Sequence, residues 1–283
     1  MVKEAIRKAD VLIEALPYIK EFHKKIIVIK YGGSILKEDR VRKSVLEDIA
    51  FLKYTGIWPI LVHGGGPNIT DQLKKLKIMT KFIEGMRFTD HATLQVVIEE
   101  LYKLSNVIIG EINAHGALAR GFSVEEALLK AQKKKTKKDL GYVGDIIDFD
   151  HGKIAEMIEA TIPIISPIGT SADGERYNIN ADEVACFLAS RLQAEKLVLL
   201  TNVQGVMSNP QDESSFISTI KVKEAEELIK KNVIGTGMIP KVRSAVKAIE
   251  SGVKKAHIID AKIPHALLLE IFTNKGIGTE IIH

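Results

Sequence analysis

The sequence predicts an α/β protein, a three-layer αβα sandwich around a mainly parallel open sheet, with an extra helix at the N-terminus. Three observations predict it. From Ile26 onward, short β-branched and aliphatic runs alternate with segments whose apolar residues recur every three to four positions. Some runs, such as Ile26–Ile29, carry no polar alternation, which suits strands covered on both faces. Glycine-rich turns close several strands, and no internal repeat or long linker divides the chain, so its two halves should share one sheet with a cleft between them.

In residues Ala5–Phe22 the apolar positions Ala5, Ala9, Leu12, Leu16 and Ile19 mark an amphipathic helix, which Pro17 should interrupt and kink. It lies outside the alternation, so it covers a sheet edge or meets another subunit. Ile26–Ser34, IIVIKYGGS, reads as a buried strand ending in Lys30, Gly32 and Gly33. A cation and open glycine N–H groups at a strand's carboxyl end make an anion site; a surface lysine in an ordinary turn is the plainer alternative. Val41–Tyr54 reads as a helix with Val45, Ile49 and Leu52 inward. Strand Trp58–Val62 runs into His63, Gly64, Gly65 and Gly66, and helix Asn68–Leu76 follows. This is again an anion cradle, because free N–H groups and the helix dipole point the same way.

Phe82–Asp90 is a short connection holding Gly85 and Arg87, and His91–Ala114 a long helix. Gly116–Lys138 has no clear pattern; Gly141–His151 reads as a small hairpin or a pair of edge strands. Helix Ile154–Ala160, strand Ile162–Ser166 and loop Pro167–Arg176 lead to Tyr177–Asp182, which opens a helix through Leu192. Strand Leu197–Leu200 closes with Thr201–Gly205, and Lys223–Lys231 is a helix. After the loop Gly235–Gly237 a helix starts near Pro240, with Lys241 in its first turn. Strand Ala256–Ile259, helix His265–Phe272 and strand Thr279–Ile282 end the chain.

The 283 residues suffice for one or two domains, and 46% hydrophobic with 27% charged residues is a globular balance. One cysteine, Cys186, excludes an intrachain disulfide and fits a reducing, cytoplasmic setting. Its apolar helical context makes it a small core residue. No run of about 18 apolar residues occurs, and charges break up the N-terminus, so neither a membrane span nor a secretory signal is expected. The net charge of +4 is local: without Lys133, Lys134, Lys135, Lys137 and Lys138 it would be −1. That segment lacks aromatics, so it reads as a solvated loop rather than a nucleic-acid patch.

The sequence has no G-x-x-x-x-G-K-[ST], no G-x-G-x-x-G after a strand and no protein-kinase motif set. No His/Cys cluster has metal-ligand spacing, so no metal is expected on protein side chains. Three glycine turns remain, with Lys30 and Lys241 flanking two of them and Asp182 at a helix start. Phosphoryl transfer needs such a set, because its catalysis is mostly positioning and cation placement. His63 ends a strand beside three glycines and reads as a structural hydrogen-bonding residue.

Six segments in order, KYGGS (Lys30–Ser34), VHGGG (Val62–Gly66), GMRFT (Gly85–Thr89), YNINAD (Tyr177–Asp182), LLTNVQG (Leu199–Gly205) and GMIPKV (Gly237–Val242), resemble the amino acid kinase family. Within it the chain is similar to the arginine-inhibited, hexameric N-acetylglutamate kinases. The resemblance spans nearly everything from Ile26 onward. It implies the amino acid kinase fold and ATP-dependent phosphorylation of the N-acetyl-L-glutamate side-chain carboxylate, on the route to arginine, with magnesium accompanying ATP. Lys30 and Lys241 would stabilise the moving phosphoryl group and Asp182 would hold both lysines. Gly64, Gly65, Arg87 and Asn178 would bind the acetylated amino acid. Gly32 and Gly33 would donate to phosphate, and Asn202, Gly205, Met207, Val233 and Gly235 would face the nucleotide. Tyr18, His265, Glu270 and Gly276 would bind L-arginine as inhibitor.

The implied division is residues 1–24 for oligomerisation, 25–176 for amino-acid binding and dimerisation, and 177–283 for ATP and arginine, in a trimer of dimers. No nucleic acid or membrane partner is implied. A sister kinase acting on another acetylated or carrier-linked amino acid, or a non-catalytic arginine and nucleotide sensor, would share these motifs, although intact Lys30, Asp182 and Lys241 argue against the sensor. Two positions depart from the family pattern: SVEE at Ser123–Glu126 replaces a glycine–any–aspartate turn, and Asn202 stands where aspartate is frequent.

Overall fold

The computed structural model describes residues 2–83, 85–209, 211–212, 215–235, 237–273 and 276–283, without the side chains of Ala5 and Lys8. Thr236 of the expected glycine loop, and Asn274 and Lys275, lie outside the described residues.

The first half contains α1 (Val2–Phe22), β1 (Ile26–Tyr31), a 3-10 turn (Ile35–Lys37), α2 (Asp39–Tyr54), β2 (Trp58–His63) and α3 (Gly66–Lys75). Then come β3 (Phe82–Ile83), β4 (Met86–Arg87), α4 (His91–Ala114), β5 (Ala119–Gly121), β6 (Leu129–Lys133) and β7 (Gly144–Phe149). The chain continues through α5 (His151–Met157), β8 (Ile162–Ile165), β9 (Ile168–Thr170), β10 (Arg176–Asn178), α6 (Ala181–Arg191) and β11 (Lys196–Thr201). The rest is β12 (Val206–Met207), β13 (Phe216–Ile217), β14 (Thr219–Lys221), α7 (Val222–Lys230), α8 (Ile239–Glu250), β15 (Lys255–Asp260), α9 (Ala266–Ile271) and β16 (Thr279–Ile282).

One eight-stranded sheet, ordered β14-β16-β15-β11-β1-β2-β8-β5, runs through the molecule. Every neighbouring pair is parallel except β15 with β16. Strand β1 sits between β2 and β11, so the chain leaves it in opposite directions in its two halves. That is a topological switch point, where open α/β sheets form their ligand crevice.

The β-branched run of β1 feeds both faces. Val28 joins a core with α6 and α8, while Ile27 and Ile29 join one with α2, α4 and α9. The expected continuous sheet and flanking helix layers are therefore present.

Three expectations change. Gly141–His151 supplies one strand, β7, whose partner β6 comes from the stretch without pattern. Loop Pro167–Arg176 contains β9 and the start of β10, an antiparallel hairpin. Residue 176, where the implied division falls, is the first residue of β10, and α6 follows that strand. Ser123–Glu126 forms a turn closed by the Glu126 carboxylate, which accepts from Ser123 N at 2.8 Å.

Helix α1 runs unbroken through Pro17 instead of being interrupted there. Phe22 is buried in the core and Tyr18 packs beside it, but Val2, Ile6, Val11, Leu12, Ile13 and Leu16 are exposed. The apolar stripe therefore stands off the body of the chain. No helix among the described residues is long and apolar enough to cross a membrane.

Candidate active site

At the carboxyl end of β1, Lys30 Nζ lies 2.7 Å from Asp182 Oδ1, both side chains mostly buried. The contact is an ion pair by distance and not an aligned hydrogen bond. Asp182 stands in the first turn of α6, which Asn180 caps by accepting from Asp182 N at 2.7 Å and Glu183 N at 3.4 Å. A cleft of ≈ 360 Å³ opens over the pair, walled by Gly33, Gly64, Gly65, Gly66, Arg87 and Asn178. A larger groove of ≈ 930 Å³ lies between α6, α8 and the β6–β7 hairpin. The smaller cleft is the candidate site, because that one holds Lys30 and Asp182 together.

The two glycine turns meet main chain to main chain. A Cβ on Gly33 would sit 2.9 Å from Gly66 N and 3.0 Å from Gly65 N. No side chain fits there, and amides of both turns converge at the start of α3, where helix N–H groups lack intrahelical acceptors. Below them, buried His63 Nδ1 bonds Gly64 O at 3.2 Å and Nε2 bonds Ser105 Oγ at 2.7 Å. Since the carbonyl only accepts, Nδ1 carries the proton. Burial pushes His63 down to about 4, so it is neutral at physiological pH. It ties the turn to α4 and has no free proton to exchange.

Arg87 is buried on β4. Its Nη2 donates to Gly66 O at 3.1 Å and Thr70 Oγ1 at 2.7 Å, and the guanidinium lies over the Phe82 ring at 4.9 Å. Nη1 is buried and has no hydrogen-bond partner among the described residues. Among the described residues no carboxylate pairs with Arg87, and burial pulls its pKa below the usual arginine range. A buried donor facing a cleft without an acceptor costs free energy unless a ligand oxygen completes it. Asn178 shares the cleft, its Nδ2 donating to Thr89 Oγ1 at 3.3 Å.

The amino acid kinase family model matches residues 25–260. The chain belongs to the amino acid kinase family.

An acetylglutamate kinase of Thermoanaerobacter pseudethanolicus is 47% identical, covering 98% of this chain and 94% of that one. One of Syntrophomonas wolfei is 43% identical with both chains fully covered. An N-acetylglutamate synthase of Neisseria gonorrhoeae, solved with coenzyme A and N-acetyl-glutamate, superposes with TM-score 0.87 at 25% identity. That match covers 97% of this chain and 63% of the synthase chain. A Giardia carbamate kinase shares the fold with TM-score 0.67 at 19% identity, covering 91% of this chain and 98% of that one.

In this amino acid kinase, Lys241 lies in the first turn of α8, half-buried and without an ion-pair partner among the described residues. The expected contact of Asp182 with both lysines is therefore formed with Lys30 alone. Gly32 is buried beside Leu200 O, and a Cβ there would meet that oxygen at 3.3 Å. Asn202 and Gly235 are exposed, and Met207 and Val233 half-buried. Gly205 is different: buried at φ +137, it packs against Thr279 and Phe216, where a side chain would clash. Among the described residues no three His, Cys, Asp or Glu gather to hold a metal ion.

Tyr18, Glu270 and Gly276 line a second pocket of ≈ 400 Å³ at the base of α1. His265 is not among its residues. It caps α9 in the left-handed region at φ +56 and places Nδ1 2.7 Å from buried Asp48 Oδ1 on α2. The histidine that faces Glu270 is His257 of β15, against which α9 lies. His257 Nδ1 lies 2.5 Å from Glu270 Oε1, and Lys196 Nζ lies 3.4 Å from His257 Nε2. Burial opposes Glu270 ionisation, but His257 and the Ile277 and Gly278 N–H groups outweigh it and hold the carboxyl below its usual range. Sequence reasoning missed Lys196 and His257; a polar residue within an otherwise apolar strand was the available signal.

Proposed function

We propose that this chain uses ATP to phosphorylate the side-chain carboxylate of N-acetyl-L-glutamate, giving N-acetyl-L-glutamyl 5-phosphate and ADP. The observation that carries it is the cleft, where Arg87 Nη1, without a partner among the described residues, shares walls with the Lys30–Asp182 pair. Relatives named acetylglutamate kinase along nearly the whole chain support the substrate. Arg87 and Asn178 hold the acetylated amino acid at its far end, leaving the side-chain carboxylate toward Lys30. A carboxylate oxygen attacks the γ-phosphorus as the bond to ADP breaks. No proton moves, because that carboxylate is ionised at neutral pH. The side-chain-free contact of Gly33 with Gly65 and Gly66 suits a phosphate held by main-chain N–H groups. Magnesium travels with the ATP phosphates. Hydroxylamine traps acyl phosphates, so wild-type protein with ATP, magnesium and N-acetylglutamate should form a hydroxamate. Nucleotide binding without turnover on this substrate would sink the reading.

The pocket at the base of α1 fits arginine as feedback inhibitor. Glu270 offers an anion for the guanidinium, Lys196 a cation for the carboxylate, and Tyr18 reaches it from α1. The exposed apolar stripe of α1 is large enough to need a partner, which a second copy in a hexamer supplies. Removing residues 1–23 should leave active dimers with much weaker arginine inhibition. Light scattering with an arginine titration checks this; a truncated chain that stays hexameric and fully sensitive contradicts it.

A further inference from the structure

Of the five lysines between 133 and 138, Lys133, Lys135, Lys137 and Lys138 are exposed, whereas the Lys134 side chain turns inward and is 16% exposed. Its Nζ lies 2.5 Å from Asp145 Oδ1 on β7 and 3.1 Å from Glu183 Oε2 on α6. It also lines the cleft that holds Lys30 and Asp182. Burial opposes its charge, but Asp145 and Glu183 outweigh burial and hold the ammonium above the usual lysine range.

We infer that Lys134 is a positioning residue for phosphoryl transfer, neutralising Glu183 and fixing the first turn of α6 so that Asp182 stays on Lys30. The inference rests on the kinase reading above. Asp182 and Glu183 are adjacent on a helix, so their side chains point roughly 100° apart. One faces Lys30 and the other Lys134, and each acid has its own cation. Without Lys134, Asp145 and Glu183 stand uncompensated beside a cleft that must admit two polyanions. Repulsion in a partly buried cleft is stronger than in bulk water. Glu183 also becomes free to compete with Asp182 for Lys30, and the β6–β7 hairpin loses its ionic tie to α6. Nothing places Lys134 on the reacting atoms, so it acts through the two carboxylates.

The test is hydroxamate kinetics on wild-type protein, Lys134→Met, Lys134→Arg and the double variant Lys134→Met with Glu183→Gln, with melting temperatures for each. Lys134→Met should lower kcat about tenfold, within the range that a small misplacement near reacting groups produces, and change KM less. Lys134→Arg should keep most of the rate. The double variant should recover to within about threefold of wild type, because glutamine needs no counter-charge. Recovery on removing the second charge is something a merely packed side chain would not show. Should Lys134→Met fail to fold, the double variant carries the test, and a folded double variant about tenfold slow overturns the inference. So does a Lys134→Met enzyme with wild-type kcat. A wild-type protein that makes no hydroxamate overturns the kinase reading and this inference with it. Turnover by wild type beside an indifferent Lys134→Met overturns the inference alone.

Discussion

Replacing Lys30 or Lys241 by alanine is expected to lower kcat by roughly 10²-fold or more, the usual loss when one preorganised electrostatic contact to a developing charge is removed. In phosphoryl transfer the protein makes few bonds, so cation placement carries most of the catalysis. The two losses should differ. Lys30 is mostly buried and paired with Asp182 at 2.7 Å, so Lys30→Ala also leaves a carboxylate facing the incoming phosphates. Lys241 has no ion-pair partner among the described residues, and its removal deletes a cation without exposing an anion. Lys30→Ala should therefore be the slower enzyme, and adding Asp182→Asn to it should recover part of the rate. Steady-state hydroxamate kinetics measures all three; lysine variants with near-normal kcat would remove both residues from the catalytic role.

Arg87→Ala is expected to raise KM for N-acetylglutamate by roughly 30-fold or more with kcat changed little. Truncating one partner of a buried, hydrogen-bonded charge pair costs about 2–5 kcal/mol. The reason lies in how Arg87 is held. Nη2 is occupied by Gly66 O and Thr70 Oγ1, Phe82 covers the plane, and Nη1 is left for a ligand oxygen. Arg87→Lys should rescue poorly, because one ammonium cannot keep both anchoring contacts and serve the ligand. An unchanged KM in Arg87→Ala would show that the carboxylate binds elsewhere.

The sheet and most of the cleft were legible in the sequence for a physical reason. Ile27–Ile29 and Leu197–Leu200 are buried on both faces, so their apolar runs need no long-range information to be read as strands. Gly33 was legible because only glycine tolerates so close an approach to the main chain of Gly65 and Gly66. Lys134 was not, since nothing local distinguishes the one inward lysine among five. Its direction is set by Asp145 and Glu183, which lie 11 and 49 residues away. His257 stayed hidden for the same reason: its partner Glu270 arrives through the fold of α9 behind β15, whereas the nearer His265 is drawn off to Asp48. Glycines also look alike in sequence whether they face open space, as Gly235 does, or a packed core, as Gly205 does.

The meeting of Gly33 with Gly65 and Gly66 has an entropic side. A cradle of main-chain amides has no rotamers to freeze when an anion arrives. A lysine arm has up to about 2 kcal/mol of side-chain freedom to lose on ordering. Lys30 surrenders much of that on folding, through its contact with Asp182, whereas on the proposed function Lys241, without an ion-pair partner among the described residues, surrenders it when the nucleotide arrives. Ground-state phosphate binding thus falls mainly to rigid parts, and the ordering cost is concentrated in one arm. Warming should therefore weaken the hold of Lys241 more steeply than that of the glycine turns.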